Sequence, residues 1–274
     1  KEYMYGYESV SLPEGGVRFL YMKGRIMDLH DFFKLHPKAA VAFSGGVDSA
    51  YLLYAATKYA KDVKAYYVHA AFQPAFELED AKRLASDIGT EMRIIEADIL
   101  SDETVMSNPP DRCYYCKRRI FGSILQAAEE DGYSLVLDGT NASDDAGDRP
   151  GMKALQELEV RSPLRECGLT KSVIRELSRE AGLFTWNKPS YACLATRVPA
   201  GTAITAEILR STEVAEQFLF DIGLTDFRVR YLDGHAKLQV PAAQLDKVLE
   251  NRGKILSELK KYYKSVVLDL ETRS

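Results

Sequence analysis

Cysteine is scarce in this chain, four residues in 274. Four thiols are too few to staple a chain of this length, so a disulfide framework is excluded. Stability must come from a buried core, which this length can build as one large domain or two modest ones. Long apolar runs are missing too, and none approaches the roughly 20 residues that span a bilayer. The opening stretch, KEYMYGYESV, lacks the basic-then-apolar order of a secretory signal. There is no block of lysine and arginine: 36 basic residues stand against 40 acidic ones, for a net charge of −4. A polybasic nucleic-acid surface is therefore not expected, and neither is a membrane partner. These absences predict a cytoplasmic, reducing setting, where a C-x-x-C pair more often binds metal or reacts than braces a fold.

What is present is a regular alternation. Apolar runs at 39–43, 63–70, 91–97 and 134–140 read as strands. Segments 47–60, 74–89 and 112–132 read as the helices between them. Such alternation predicts an α/β fold, a parallel sheet with helices on both faces. A helix is also expected at 25–35, and further ones near 152–159 and 170–182, the last capped by Thr170. From 203 onward the order is helix (205–222), strand (226–231), strand (235–240), helices (241–250 and 252–262) and strand (264–269), a smaller α+β unit. Asp233-Gly234 is a hairpin signal inside it. The expected domains are thus a Tyr-rich extension at 1–24, an α/β domain at 25–200 and an α+β domain at 201–274. The extension carries Pro-Glu-Gly-Gly between two short β-like runs, a hairpin or an arm docking on another subunit.

Ser44-Gly45-Gly46-Val47-Asp48-Ser49 joins the first core strand to the next helix. The first N–H groups of a helix have no partners inside it, and the helix dipole is positive there, so this end favours an anion. Gly45 and Gly46 let backbone approach a phosphate closely, and Ser44 and Ser49 add hydroxyls. Asp48 would repel phosphate, so it is expected to hold Mg2+ or orient a backbone N–H. The loop is not a Walker A motif, because it lacks Gly-Lys-Ser/Thr.

Cys113 and Cys116 stand in NPPDRCYYCKRR. Three readings compete: a redox pair, two small core residues, or metal ligands. As ligands they need a partner, and Cys193 in SYACLATR is the natural one. Three thiolates suit zinc completed by His69 or water, or an iron–sulfur cluster with one iron left open. Cys167 reads as a small apolar residue. Asp138, at a strand end, is placed for Mg2+ or a ribose, and Asp144, Asp145 and Asp148 share one polar loop. Arg197 suits a two-pronged clamp on carboxylate or phosphate. Arg228 and Arg230 alternate on a strand and share a face, either solvated or binding a nucleotide phosphate at a subunit interface. Glu216 is positioned to pair with them or to hold a metal. Trp186, the one tryptophan, either packs in the core or stacks on a base.

The hexapeptide resembles the S-G-G-x-D-S loop of the PP-loop ATP pyrophosphatases, which split ATP between its α- and β-phosphates. DGTNASDDAGDRPG (138–151), RSPL (161–164), WNKPSYACLATR (186–197) and FRVRY (227–231), in that order, make the chain resemble the LarE family from about residue 25 to 270. The resemblance implies an ATP-dependent sulfur transferase of nickel-pincer nucleotide synthesis. It implies a pyridinium biscarboxylic acid mononucleotide as substrate, both of whose carboxylates are adenylylated and turned into thiocarboxylates. ATP would sit on Ser44, Gly45, Gly46, Asp48 and Ser49 with Mg2+. Cys113, Cys116 and Cys193 would hold a 4Fe-4S cluster carrying sulfide from a donor the sequence does not identify, with Cys193, Arg197 and Asp48 nearest the chemistry. A tRNA thiolase on the same scaffold, a non-catalytic nucleotide-binding or cluster-sensing protein, and a zinc-stabilised sulfurtransferase are the alternatives. A homo-oligomer is the expected assembly.

Overall fold

The structure is a computed structural model that describes residues 8–11, 18–22, 25–144 and 150–273. The chain divides into two compact units. One is built from Lys1–Ala70, Ala75–Ala97 and Cys113–Lys188, the other from Ala71–Pro74, Asp98–Arg112 and Pro189–Ser274.

The first unit begins with a small antiparallel sheet of β1 (Glu8–Ser11), β2 (Arg18–Met22) and β3 (Arg25–Ile26). Pairing of Glu8 with Tyr21 and Ser11 with Arg18 makes β1 and β2 a hairpin. The Pro-Glu-Gly-Gly turn lies outside the described residues. Helix α1 (Leu29–Leu35) follows, capped where Asp28 accepts a 2.9 Å bond from the Asp31 amide.

The main sheet consists of β4 (Lys38–Ala42), β5 (Asp62–His69), β6 (Met92–Glu96) and β7 (Val136–Leu137). All its pairings are parallel, in the order β6-β5-β4-β7. Its helices are α2 (Val47–Tyr59), α3 (Ala75–Ile88), α5 (Arg112–Glu130), α6 (Pro150–Glu157), α7 (Pro163–Glu166) and α8 (Lys171–Glu180), while α4 (Glu103–Met106) belongs to the second unit. Side chains alternate across the strands. Ala39, Val41, Tyr67 and Leu137 join one core with Phe32, Phe33, Leu52, Leu53, Leu84, Leu164 and Ile174. Ala40, Ala42, Tyr66, Val68 and Val136 join the opposite core with Phe121, Ile124, Ala128 and Leu155. Both faces are covered, as the near-continuous apolar strands require. Each fully buried leucine or phenylalanine contributes roughly 1.5–3 kcal/mol.

Strand β7 is shorter than the apolar run at 134–140. Only Val136 and Leu137 pair with β4, and the Asp138 amide already bonds to the carbonyl of Arg161. This position sets the site. From β4 the chain moves to β5 on one side, while β7 returns on the other. The order therefore reverses at β4, and ligands of open parallel sheets gather in the crevice at such a point. The loop leaving β4 is Ser44–Ser49.

In the second unit, β8 (Arg228–Leu232) and β9 (His235–Gln239) form the expected hairpin, with Asp233 and Gly234 both at positive φ. Strand β10 (Val266–Leu268) adds parallel to β9. These strands share a core with α9 (Ala206–Asp221), α10 (Leu245–Glu250) and α11 (Arg252–Leu259) through Leu219, Phe227, Val229, Leu238, Val248 and Leu259. The helix expected over 241–250 starts later, because Pro241 leads first into a 3-10 turn at Ala242–Gln244.

Among the described glycines, Gly139, just past β7, makes the closest approach to another stretch of backbone. A Cβ there would lie 2.8 Å from the Ser49 amide nitrogen and 3.1 Å from its Cα. Gly139→Ala should therefore destabilise the chain by about 1–3 kcal/mol in urea denaturation. Gly253→Ala, in α11 with nothing within 4 Å, should be neutral or stabilise by about 0.5–1 kcal/mol.

Candidate functional site

The loop after β4 is shaped by two requirements. Gly45 sits at φ +72°, and a side chain there would press to 3.2 Å from the Glu77 carbonyl of α3. Only glycine meets both conditions at low cost. Gly46 is the N-cap of α2, and no side chain caps that end. The serines knit the loop: the Ser44 amide donates to Ser49 Oγ at 3.2 Å, the two hydroxyls lie 3.1 Å apart, and Ser49 Oγ donates to the Gly46 carbonyl at 3.2 Å. The result is an uncapped helix start at the sheet's switch point, an arrangement suited to phosphate.

Asp48, in the first turn of α2, accepts a 2.6 Å bond from Lys171 Nζ on Oδ2. Its Oδ1 is buried and has no hydrogen-bond partner within bonding distance among the described residues. Burial pushes its carboxyl above the ordinary range, while Lys171 and, more weakly, the Asn141 side chain pull it down. A buried carboxylate oxygen without a donor fits a hard cation such as Mg2+. Asp138 differs. Its carboxylate accepts from Ser162 Oγ at 2.5 Å and from the Thr140 hydroxyl. Burial raises its pKa. Asp138 thus ties the end of β7 to the start of α7. Asp144 turns its own loop by accepting from the Asn141 amide at 2.9 Å. Asp145 and Asp148 lie outside the described residues.

Cys113 and Cys116 lie at the start of α5, three residues apart and hence on one helix face. Cys113 is exposed and Cys116 half-buried. Cys193, also half-buried, caps the 3-10 helix Leu194–Arg197 in the second unit. Arg112 Nη1 lies 3.9 Å from Cys193 Sγ, a contact inside that unit. No disulfide joins any of the four cysteines. Cys167 packs against the core, and burial pushes its thiol up, in keeping with an inert apolar role. His69 pairs with Glu96 at 2.8 Å.

Glu216 is the hub of the Cys193 loop. Arg197 Nε and Nη2 donate to its two oxygens at 2.8 and 2.9 Å, the Val229 amide adds a bond at 2.9 Å, and the Tyr191 hydroxyl adds a fourth. Arg197 Nη1 reaches the Ala192 carbonyl at 2.8 Å and Thr196 Oγ1 at 2.9 Å. With 1 % of its surface exposed, Arg197 clamps its own loop to α9. Burial opposite a fixed carboxylate turns the fork inward, onto Glu216. Arg228 and Arg230 do share a face, and they grip the same loop through the carbonyls of Ser190 and Thr196, each at 3.0 Å. Burial, then Arg197 and Arg273, lowers the pKa of both. Trp186 is 39 % exposed, so core packing does not describe it.

Sequence reasoning missed Lys171, Lys188, Gly139 and Asn108. Lys188 was visible inside WNKPS, yet nothing in the spacing links it to a loop 143 residues earlier. Asn108 sits at φ +54°, a conformation asparagine tolerates, and its amide donates to the carbonyls of Val198, Pro199 and Thr202. The Asn-Pro-Pro of the cysteine segment was the available signal.

The family described as Queuosine biosynthesis protein QueC matches residues 38–108, from β4 past α4. An uncharacterized protein of Synechocystis sp. is 33% identical over 258 residues, 91% of this chain and 95% of its own length. The pyridinium-3,5-bisthiocarboxylic acid mononucleotide synthase of Lactiplantibacillus plantarum is 31% identical over 236 residues, 85% of this chain and 86% of its own. The tRNA-specific 2-thiouridylase MnmA of Thermotoga petrophila is 25% identical over 193 residues, 55% of this chain and 54% of its own.

The Glu216 hub has a measurable consequence. Glu216→Ala would leave the Arg197 guanidinium buried without its counter-charge, and urea denaturation should record a loss of about 3–5 kcal/mol. Removing a surface partner, as in Glu79→Ala beside Lys82, should cost no more than about 1 kcal/mol.

Proposed function

We infer the activity of this chain from its kinship: it belongs to the LarE family of PP-loop sulfur transferases. It activates the carboxylates of pyridinium-3,5-biscarboxylic acid mononucleotide with ATP and replaces the activated oxygen by sulfur, in nickel-pincer nucleotide biosynthesis. The observation that carries this reading is the uncapped start of α2 at the sheet's switch point, with the unpartnered Asp48 Oδ1 beside it.

In the first step a carboxylate oxygen attacks the α-phosphorus of ATP. The bond to the bridging oxygen breaks, pyrophosphate leaves with that electron pair, and an acyl-adenylate remains. The N–H groups that open α2 face the growing negative charge, the situation in which fixed dipoles help most. Asp48 would hold the Mg2+ that accompanies ATP, a hard cation suited to a carboxylate oxygen. In the second step hydrosulfide adds to the acyl carbon, the bond to AMP breaks, and a thiocarboxylate, AMP and a proton result.

Cys113, Cys116 and Cys193 are the residues that would hold a 4Fe-4S cluster. Their support is chemical: three sulfur donors outside any disulfide, two of them three residues apart at the start of α5. Three protein ligands leave one iron open to an additional sulfide. Around Cys193, the Arg197–Glu216 pair and Arg230 hold the loop, so these are positioning residues. The reading takes the chain as a cytoplasmic homo-oligomer acting on a small molecule. Among the described residues, no helix is long and apolar enough to cross a membrane. The thiouridylase likeness suggests tRNA as a second substrate class, but a net charge of −4 with no basic block disfavours it.

Two measurements test the reading on chain purified without oxygen. With MgATP and the pyridinium substrate, one pyrophosphate should appear per carboxylate converted; none above background would overturn adenylylation. Metal analysis should give on the order of four irons per chain, lost when each of the three cysteines becomes alanine. One zinc and no iron would overturn the cluster.

A further inference from the structure

ATP pyrophosphate chemistry needs positive charge on a leaving group that carries several negative charges. A Walker A loop supplies it from its own lysine. Here the positions after Gly46 are Val47, Asp48 and Ser49, so the loop itself contributes a negative side chain. The first unit brings two lysines to the loop from far along the chain. Lys171 opens α8, with its amide held by Ser143 Oγ at 2.9 Å, and its Nζ lies 2.6 Å from Asp48 Oδ2. Lys188 Nζ lies 3.4 Å from the Gly45 carbonyl and 2.6 Å from Asp80 Oδ2 of α3. The Lys188 backbone is anchored too: Arg175 donates to its carbonyl at 2.9 Å and to that of Trp186 at 2.7 Å.

We propose that Lys171 and Lys188 are the phosphate-binding cations of this loop, parked on Asp48 and Asp80 until the β- and γ-phosphates arrive. The proposal rests on the ATP-cleaving reading above and names residues for it. Each lysine is a flexible point charge whose ammonium can change partner without moving backbone. When Mg2+ occupies Asp48, Lys171 loses its carboxylate and turns to the phosphate oxygens. Lys188 makes the same exchange against Asp80. An ammonium beside Gly45 would then stabilise pyrophosphate as it separates from the α-phosphorus.

The asymmetry between partners decides it. If Lys188 only braces the fold through its ion pair, Asp80→Asn and Lys188→Met should do equal harm. If it binds phosphate, only the lysine substitution should. Titration calorimetry on the full chain with Mg2+ would use inorganic pyrophosphate and AMP as separate probes. Lys171→Met and Lys188→Met should each weaken pyrophosphate binding about tenfold to a hundredfold, with AMP binding within twofold of wild type. Lys188→Arg should restore most of the loss, and Asp80→Asn should match or exceed wild type. Unchanged pyrophosphate affinity in folded lysine variants would overturn the proposal. So would parallel losses of pyrophosphate and AMP, or an equal loss in Asp80→Asn. If pyrophosphate release by the wild type is intact while the lysine variants bind normally, the ATP-cleaving reading survives and only this assignment falls. If the wild type binds no pyrophosphate, this assignment falls, and the ATP-cleaving reading falls with it only if pyrophosphate release is absent as well.

Discussion

Helix α2 begins at Gly46 with no side chain to take its first N–H groups, and the elements around that end are fitted to it. Gly45 comes close to the backbone of α3, and Gly139 brings the end of β7 almost onto the Ser49 amide. The same end receives Lys171 and Lys188 from later segments. A helix start left uncapped costs stability unless something charged or polar completes it. The substrate's phosphates are what completes it in the proposed reaction, so the local cost and the function have one origin.

Three carboxylates illustrate how burial and partners separate roles. Glu216 receives four donors and is fully spoken for as the anchor of the Cys193 loop. Asp138 receives two hydroxyls and joins β7 to α7. Asp48 has a lysine on one oxygen, and its other, buried oxygen has no partner within bonding distance among the described residues. A desolvated acceptor without a donor is expensive. It persists where a ligand supplies the missing partner, which singles out Asp48 among the three.

The second unit has a different task. Its hairpin presents Arg228 and Arg230, and α9 presents Glu216, to a segment that holds two prolines and little regular structure. Arg197, Arg228 and Arg230 all bond to carbonyls between Ser190 and Thr196. Asn108 does the same for the stretch from Val198 to Thr202. A loop without a ladder of its own must have its carbonyls satisfied by side chains. Cys193 therefore rides on a segment held from several sides.

Periodicity determined the parallel sheet and its helices, and turn chemistry the Asp233-Gly234 hairpin, because those signals are local in the chain. The Ser44–Ser49 hexapeptide was equally legible, since strand, turn glycines and helix start are neighbours in the chain. What the sequence left open was every question of direction. Arg197 looked like a clamp for substrate and is turned onto Glu216, because a buried guanidinium takes the nearest fixed carboxylate. Asp138 looked like a cation ligand and is closed by Ser162 and Thr140. The two lysines at the phosphate loop lie more than a hundred residues from it in sequence. Their place is decided only when α8 and the Trp186–Lys188 segment pack beside α2, since charge acts through space and leaves no periodic trace in the chain.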